Sequence, residues 1–195
     1  MYAVGHLAIG YLSGKATSKL AQVDVNVPLL FALSIIPDID LLISGLKHRG
    51  PTHSIVILCL LSLPAFVLYR KKATPYLVAL ILHSIVGDGL TGGAQLLWPL
   101  TSKEYGIRIG ITSSANIVAE WVLSLASFAI LFKARDMQTL FQSHPSNLFL
   151  LIPIFTVLLP TFFMFPLYVP LELMIPHLIY LTIFALSILI DIKPK

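Results

Sequence analysis

Charge is scarce in this chain. Only 11% of its 195 residues are Asp, Glu, Lys or Arg, while 57% are hydrophobic and the mean hydropathy is +0.89, against roughly 25% charged and 45–50% apolar in soluble domains. That excludes an ordinary soluble globule, and with it a disordered or collagen-like chain. Cysteine is nearly absent: Cys59 stands alone in an apolar run, which excludes a disulfide scaffold and reads as a small buried thiol. No stripe of basic residues interleaves with aromatics. The net charge of +4 is spread over Lys15 and Lys19, Lys47 and Arg49, Arg70 to Lys72, Lys133 and Arg135, and Lys193 and Lys195, so nucleic acid is excluded as a partner. The chain lacks a Gly-x-Ser-x-Gly elbow, a Walker loop and a dinucleotide fingerprint, which removes serine-type, nucleotide-driven and redox chemistry. Its amino end lacks a basic n-region and a small-residue cleavage site, so that end is expected to stay as a first membrane helix.

What remains is long apolar runs: 1–13, 27–46, 55–69, 75–86, 117–132, 148–168 and 171–190. A bilayer core takes about 20 apolar residues per helix. The pattern therefore predicts an all-α, multi-pass transmembrane bundle of about six to seven segments, some broken by Pro or Gly, in the cell's inner membrane. One integral membrane domain is expected over 1–195. Its first part, 1–135, would carry the chemistry, and 136–195, with Pro145, Pro153, Pro160, Pro166, Pro170 and Pro176, would be a kinked scaffold.

The informative residues are ionisable groups inside or beside these runs: His6, Asp38, Asp40, His83, Asp88 and Glu120. An acid at the centre of a membrane helix costs about 2.5–3.5 kcal/mol. Few Lys or Arg lie within the segments to offset four acids. A divalent cation held by His and carboxylate ligands compensates them better than ion pairs do.

Spacing limits how these groups can meet. Asp38 and Asp40 are two apart, so a regular helix points them about 200° apart; Pro37 disfavours helical backbone at Ile36 and allows a break that turns both inward. Gly50-Pro51 marks a turn, after which Thr52 or Ser54 can cap a helix, with His53 at its start. His83 and Asp88 are five apart, about 140° on an ideal helix, and share a face only across a π-bulge or a break at Gly87–Gly89. Asn116 and Glu120, four apart, share a face directly. With the basic groups near helix ends on the inside, all these residues and His53 fall in the outer halves of their segments, which predicts one shared site.

The ordered set Gly5-His6-Leu7-Ala8-Ile9-Gly10, Pro37-Asp38-Ile39-Asp40, His48-Arg49-Gly50-Pro51-Thr52-His53-Ser54 and His83 to Asp88, with Leu90-Thr91 and Leu97-Trp98-Pro99-Leu100, resembles the YdjM-type inner-membrane family of metal-dependent hydrolases over roughly residues 1–135. That family is distantly similar to zinc-dependent phospholipase C. The resemblance implies His6, Asp38, Asp40, His53, His83 and Asp88 as metal ligands, with Glu120 as a further one. The family's His-x-x-x-Asp spacing is one residue longer here.

The expected function is hydrolysis of an ester, a phosphoester of a membrane lipid, with the lipid as the partner and a divalent metal, zinc first and manganese next, as cofactor. Asp38 or Asp40, with Glu120, would serve catalysis. Arg49, with His48 beside it at the mouth, would hold the phosphate or else anchor the loop at the interface. Two alternatives use the same cluster: a cation or proton transporter, and a noncatalytic protein stapled by its metal. The sequence does not fix an oligomeric state.

Overall fold

The computed structural model describes residues 1–163 and 168–192; Pro166, Lys193 and Lys195 lie outside these. Among the described residues every regular element is helical, and a single antiparallel bridge pairs Ala94 with Tyr105.

α1 (Ala3–Ala21) contains no proline and runs unbroken until Gln22 turns left-handed at φ 53°. α2 (Val27–Leu33) starts at Asn26, whose side chain accepts from the Leu29 amide at 2.9 Å. It ends early because Pro37 disfavours helix at the residue before it, and the chain tightens into a 3₁₀ turn, Ile36–Leu42. A second 3₁₀ turn, Pro51–His53, leads to α3 (Ile55–Tyr69), which Ser54 caps by accepting from the Ile57 amide. α4 (Thr74–Leu82) passes without interruption into a π-helical turn, His83–Asp88, and the short α5 (Gly89–Thr91). After an irregular loop, Ser113 caps α6 (Ser114–Lys133), and α7 (Asp136–Leu140) follows. α8 (Leu151–Pro153) is one piece of a proline-broken rod over Pro145–Phe163, and α9 (Leu171–Ile192) closes the described chain.

Three helical stretches are long and apolar enough to cross a membrane among the described residues: Ser114–Lys133, Pro145–Phe163 and Leu171–Asp191. The structure does not support the expected six to seven. The apolar run 27–46 is divided by the turn at Pro37, and α3 with its 15 residues reaches about 22 Å, short of the roughly 30 Å hydrocarbon core.

Most of the helices share a main buried core, and a smaller cluster gathers Tyr2, Val169 and Leu173. Leu7 and Tyr11 of α1, Phe31 of α2, Leu131 of α6 and Tyr180 and Phe184 of α9 belong to a single cluster. Phe31 stacks on Tyr11 at 5.1 Å and meets Phe184 at 4.9 Å. Burial of each such side chain stabilises the fold by about 1.5–3 kcal/mol. The proline-rich part is therefore packed into the core of the first part. Large apolar side chains left exposed, such as Leu61, Val67, Val122 and Leu171, form the outward faces suited to lipid.

Candidate metal centre

Four donors meet at one point. The 3₁₀ turn after Pro37 brings in Asp38, the turn Pro51–His53 brings in His53, and the π-helical turn brings in both His83 and Asp88. The π geometry is the local answer to their five-residue spacing: the wider turn rotates Asp88 back beneath His83. His53 Nε2 lies 3.4 Å from Asp38 Oδ1, 3.0 Å from Asp88 Oδ2 and 3.3 Å from His83 Nε2. His83 Nε2 lies 3.4 Å from both Asp38 Oδ1 and Asp88 Oδ2. A cation with N/O donors at about 2.0–2.1 Å separates them by about 3.3–3.4 Å in a tetrahedron and about 3.0 Å in cis octahedral positions. All four residues are buried, and the donor atoms suit a metal ion.

The imidazoles are held with a lone pair facing that focus. Ser34 O can only accept, so His83 Nδ1 donates to it at 2.6 Å and Nε2 is left as a lone pair. For His53, Thr52 Oγ1 donates to Asp40 Oδ2 at 2.8 Å and stands 3.0 Å from His53 Nδ1, which donates to it. His53 Nε2 is then free to ligate. Two protonated rings would instead point N–H groups at each other across 3.3 Å. Asp88 is buried with its Oδ1 paired to the Arg49 guanidinium at 2.8 Å, while its Oδ2 faces the focus with no hydrogen-bond partner, a costly state for an anion's oxygen unless a cation takes it. The residues present therefore fit a divalent ion.

Asp40 sits one layer out. It takes Thr52, the Arg49 amide at 3.2 Å and His48 Nδ1 at 3.0 Å, and its Oδ2 is 3.4 Å from His53 Nδ1. Asp40, His48 and His53 form a second compact group of possible ligands. Burial raises the Asp40 carboxyl, but the hydrogen bonds from His48 and Thr52, with the His53 ring beside them, outweigh it and hold the group below the ordinary carboxylate range. At the exposed rim, the hydrogen bond from Lys47 lowers Glu104.

His6 stacks on His83, ring centroids 3.9 Å apart, with Nε2 3.7 Å from Asp88 Oδ1 and Nδ1 unpartnered. Gly87 makes room for it, since a Cβ there would stand 2.3 Å from the His6 ring. Arg49 turns inward rather than to the interface: Nε is 2.8 Å from Asp88 Oδ1 and Nη2 donates to Thr91 Oγ1 at 3.2 Å. Glu120 is placed elsewhere, at the amino end of α1, where it accepts from the Tyr2 amide at 2.6 Å, the Gly5 amide at 3.2 Å and Asn116 Nδ2 at 2.9 Å. The hydrogen-bonded pair Asn116–Glu120 thus shares its face as the spacing implies.

Three contributors were not singled out as site residues from sequence. Thr52 and the Ser34 carbonyl set the tautomers, and Thr91 holds Arg49. A hydroxyl beside a histidine is a weak signal, and a backbone carbonyl leaves none. A space of about 30 Å³, enough for one water, adjoins Asp38 and His48 and is walled by Val157, Thr161 and Val169 of the proline-rich part.

No curated protein and no solved structure matches the chain. The family model of the YdjM inner membrane protein matches residues 1–169, which takes in every donor described above and extends beyond the 135 residues that carried the resemblance. With most of its length matched, the chain belongs to the YdjM inner membrane protein family.

Proposed function

We propose that the protein is a membrane-embedded metal-dependent hydrolase of an ester, with a phosphoester of a membrane lipid as substrate. The carrying observation is the convergence of Asp38, His53, His83 and Asp88 on one point, with both imidazoles held as acceptors. Asp38, Asp40 and Asp88 bring three negative charges against the one positive charge of Arg49, so a divalent ion leaves the site neutral and removes the cost of burying them. A bound ion, zinc or manganese, would polarise the ester oxygen and acidify water.

The chain's own residues do the rest. Asp40 and Thr52 orient His53, and Ser34 orients His83. Asp38 borders the water-sized space and is placed to accept a proton from a water there. The Arg49 guanidinium, partly spent on Asp88, has its remaining N–H groups for a substrate phosphate, and His48 lines the water-sized space with Asp38. Glu120, engaged by two backbone amides and Asn116, serves by fixing α1 over the site. α1 and the shorter apolar helices α3 and α4 complete a multi-pass bundle around this centre. Likeness to zinc-dependent phospholipase C is supported by the His/Asp donor chemistry alone.

One observation favours a second reading: four protein donors can fill a tetrahedron, as in closed structural sites. The test is turnover of phospholipid in vesicles by the metal-loaded protein. Release of a phosphoester product by the wild type, lost by at least 100-fold in Asp38→Asn and His83→Ala, is expected. Full metal content with no turnover of any phospholipid would leave the metal-stapled reading standing instead.

A further inference from the structure

A cavity of about 560 Å³ lies between α2, α3 and α4. Its walls are aliphatic: Leu29, Leu33, Leu58, Leu61, Leu77 and Leu80 line most of it. Such a volume falls in the range of ligand sites, and at roughly 30 Å³ for a water-sized group it holds on the order of 18 methylenes. Along α3 it runs from Leu58 to Tyr69, about 16 Å of helix, or half of the roughly 30 Å hydrocarbon core. That is the depth one acyl chain fills in a leaflet. Leu61 on its wall is 74% exposed, so the cavity opens sideways, where lipid lies.

Its charged groups are confined to one end, and Ser62 along the wall spends its hydroxyl on the Leu58 carbonyl. Asp24, Tyr69, Lys72 and Tyr76 form that rim, and Arg70 and Lys71, both exposed, precede Lys72 on the same 3₁₀ turn, Arg70–Ala73. Lys72 and Asp24 share the rim, and the exposed Arg70 and Lys71 on the adjoining turn make this end net positive, the arrangement that selects anionic headgroups at a membrane surface. Toward the opposite end the lining comes from chain segments that lead to the metal centre. Ile36, Leu58 and Leu80 line the cavity a few positions from Asp38, His53 and His83.

We propose that this cavity is a binding site for one acyl chain of an anionic phospholipid, whose phosphate is held at Lys72 with Arg70 and Lys71 beside it. The headgroup sits at the far rim from Asp38, so this lipid is a resident ligand distinct from the ester at the metal centre, and the assignment stands whether or not the centre is hydrolytic. Its chain fills the gap between the helices that carry His53 and His83.

The test is photocrosslinking in vesicles, using phosphatidylglycerol or phosphatidylcholine probes with a diazirine on one acyl chain, followed by peptide mapping. The phosphatidylglycerol probe is expected to label Leu33 and Leu77 several-fold more than the phosphatidylcholine probe. Lys72→Gln should bring that ratio close to one. Ala65→Trp, or Ser62→Phe if the first variant does not fold, should fill the cavity and abolish the labelling of Leu33 and Leu77. Labelling of the outward Leu63 and Val67, exposed in the structure, should persist. Labelling of outward residues only, or equal labelling of the cavity by both lipids, would show ordinary surrounding lipid and overturn the proposal.

Discussion

At the residue scale, the account turns on space and protons around the two imidazoles. Gly87 lies in a helical turn, where alanine is normally worth about 1 kcal/mol over glycine. Here the sign reverses. The added Cβ would stand 2.3 Å from a His6 ring that is itself stacked on His83 and 2% exposed, so nothing yields cheaply. Gly87→Ala should destabilise the protein by about 1–3 kcal/mol, seen as a lower midpoint in thermal unfolding. Gly110→Ala, with open space around it, should change stability by less than about 0.5 kcal/mol.

Asp40 makes a pH prediction. Its carboxyl is held below the ordinary range by its hydrogen bonds despite burial, so the stabilisation it gives is fully present above the unfolded value of about 3.9. It is lost as pH falls from there through the depressed folded value. The gap in unfolding midpoint between wild type and Asp40→Asn should therefore be constant above about pH 5 and shrink below pH 4. A gap that widens on acidification would contradict this role.

At the scale of elements, the site depends on three departures from regular α-helix. The 3₁₀ turn at Ile36–Leu42 delivers Asp38 and Asp40 to different partners, and the 3₁₀ turn at Pro51–His53 ends with His53 facing inward. The π turn at His83–Asp88 carries the extra residue that brings its two ends together. Inserting an alanine after Val86 should place Asp88 six residues from His83, a spacing the π turn does not absorb, and rotate Asp88 by about 100°. The variant is expected to fold with α6 and α9 intact by circular dichroism but to lose bound metal in elemental analysis. Retained metal would mean that the π turn does not position Asp88.

These departures were partly legible beforehand. Pro37 announces a break, Gly50-Pro51 a turn, and the five-residue gap from His83 demands a bulge or a kink. Which nitrogen of each histidine would be free was not legible, because Ser34 contributes through its backbone. Arg49 was ambiguous for a different reason. Its loop reads as interfacial, and only the pairing with Asp88 and Thr91 draws the side chain inward.

At the scale of the whole molecule, composition fixed a helical membrane protein and the polar residues fixed where its chemistry lies. The number of crossings was not readable from apolar runs alone. Proline and polar positions divide those runs into helices shorter than a bilayer, and their exposure depends on packing that hydropathy does not encode. The proline-rich part shows the same limit: it resembles a scaffold in sequence, yet Val157, Thr161 and Val169 wall the space beside Asp38 while Tyr180 and Phe184 complete the core. The central claim is that buried acids are tolerated within this fold because they share one cation. Metal content per chain, measured on purified wild type and on His53→Ala and Asp88→Ala after equilibration with zinc or manganese, tests it most directly. The account predicts one tightly held ion per wild-type chain and little or none in either variant; wild type that binds no ion, or variants that hold as much as wild type, would contradict it.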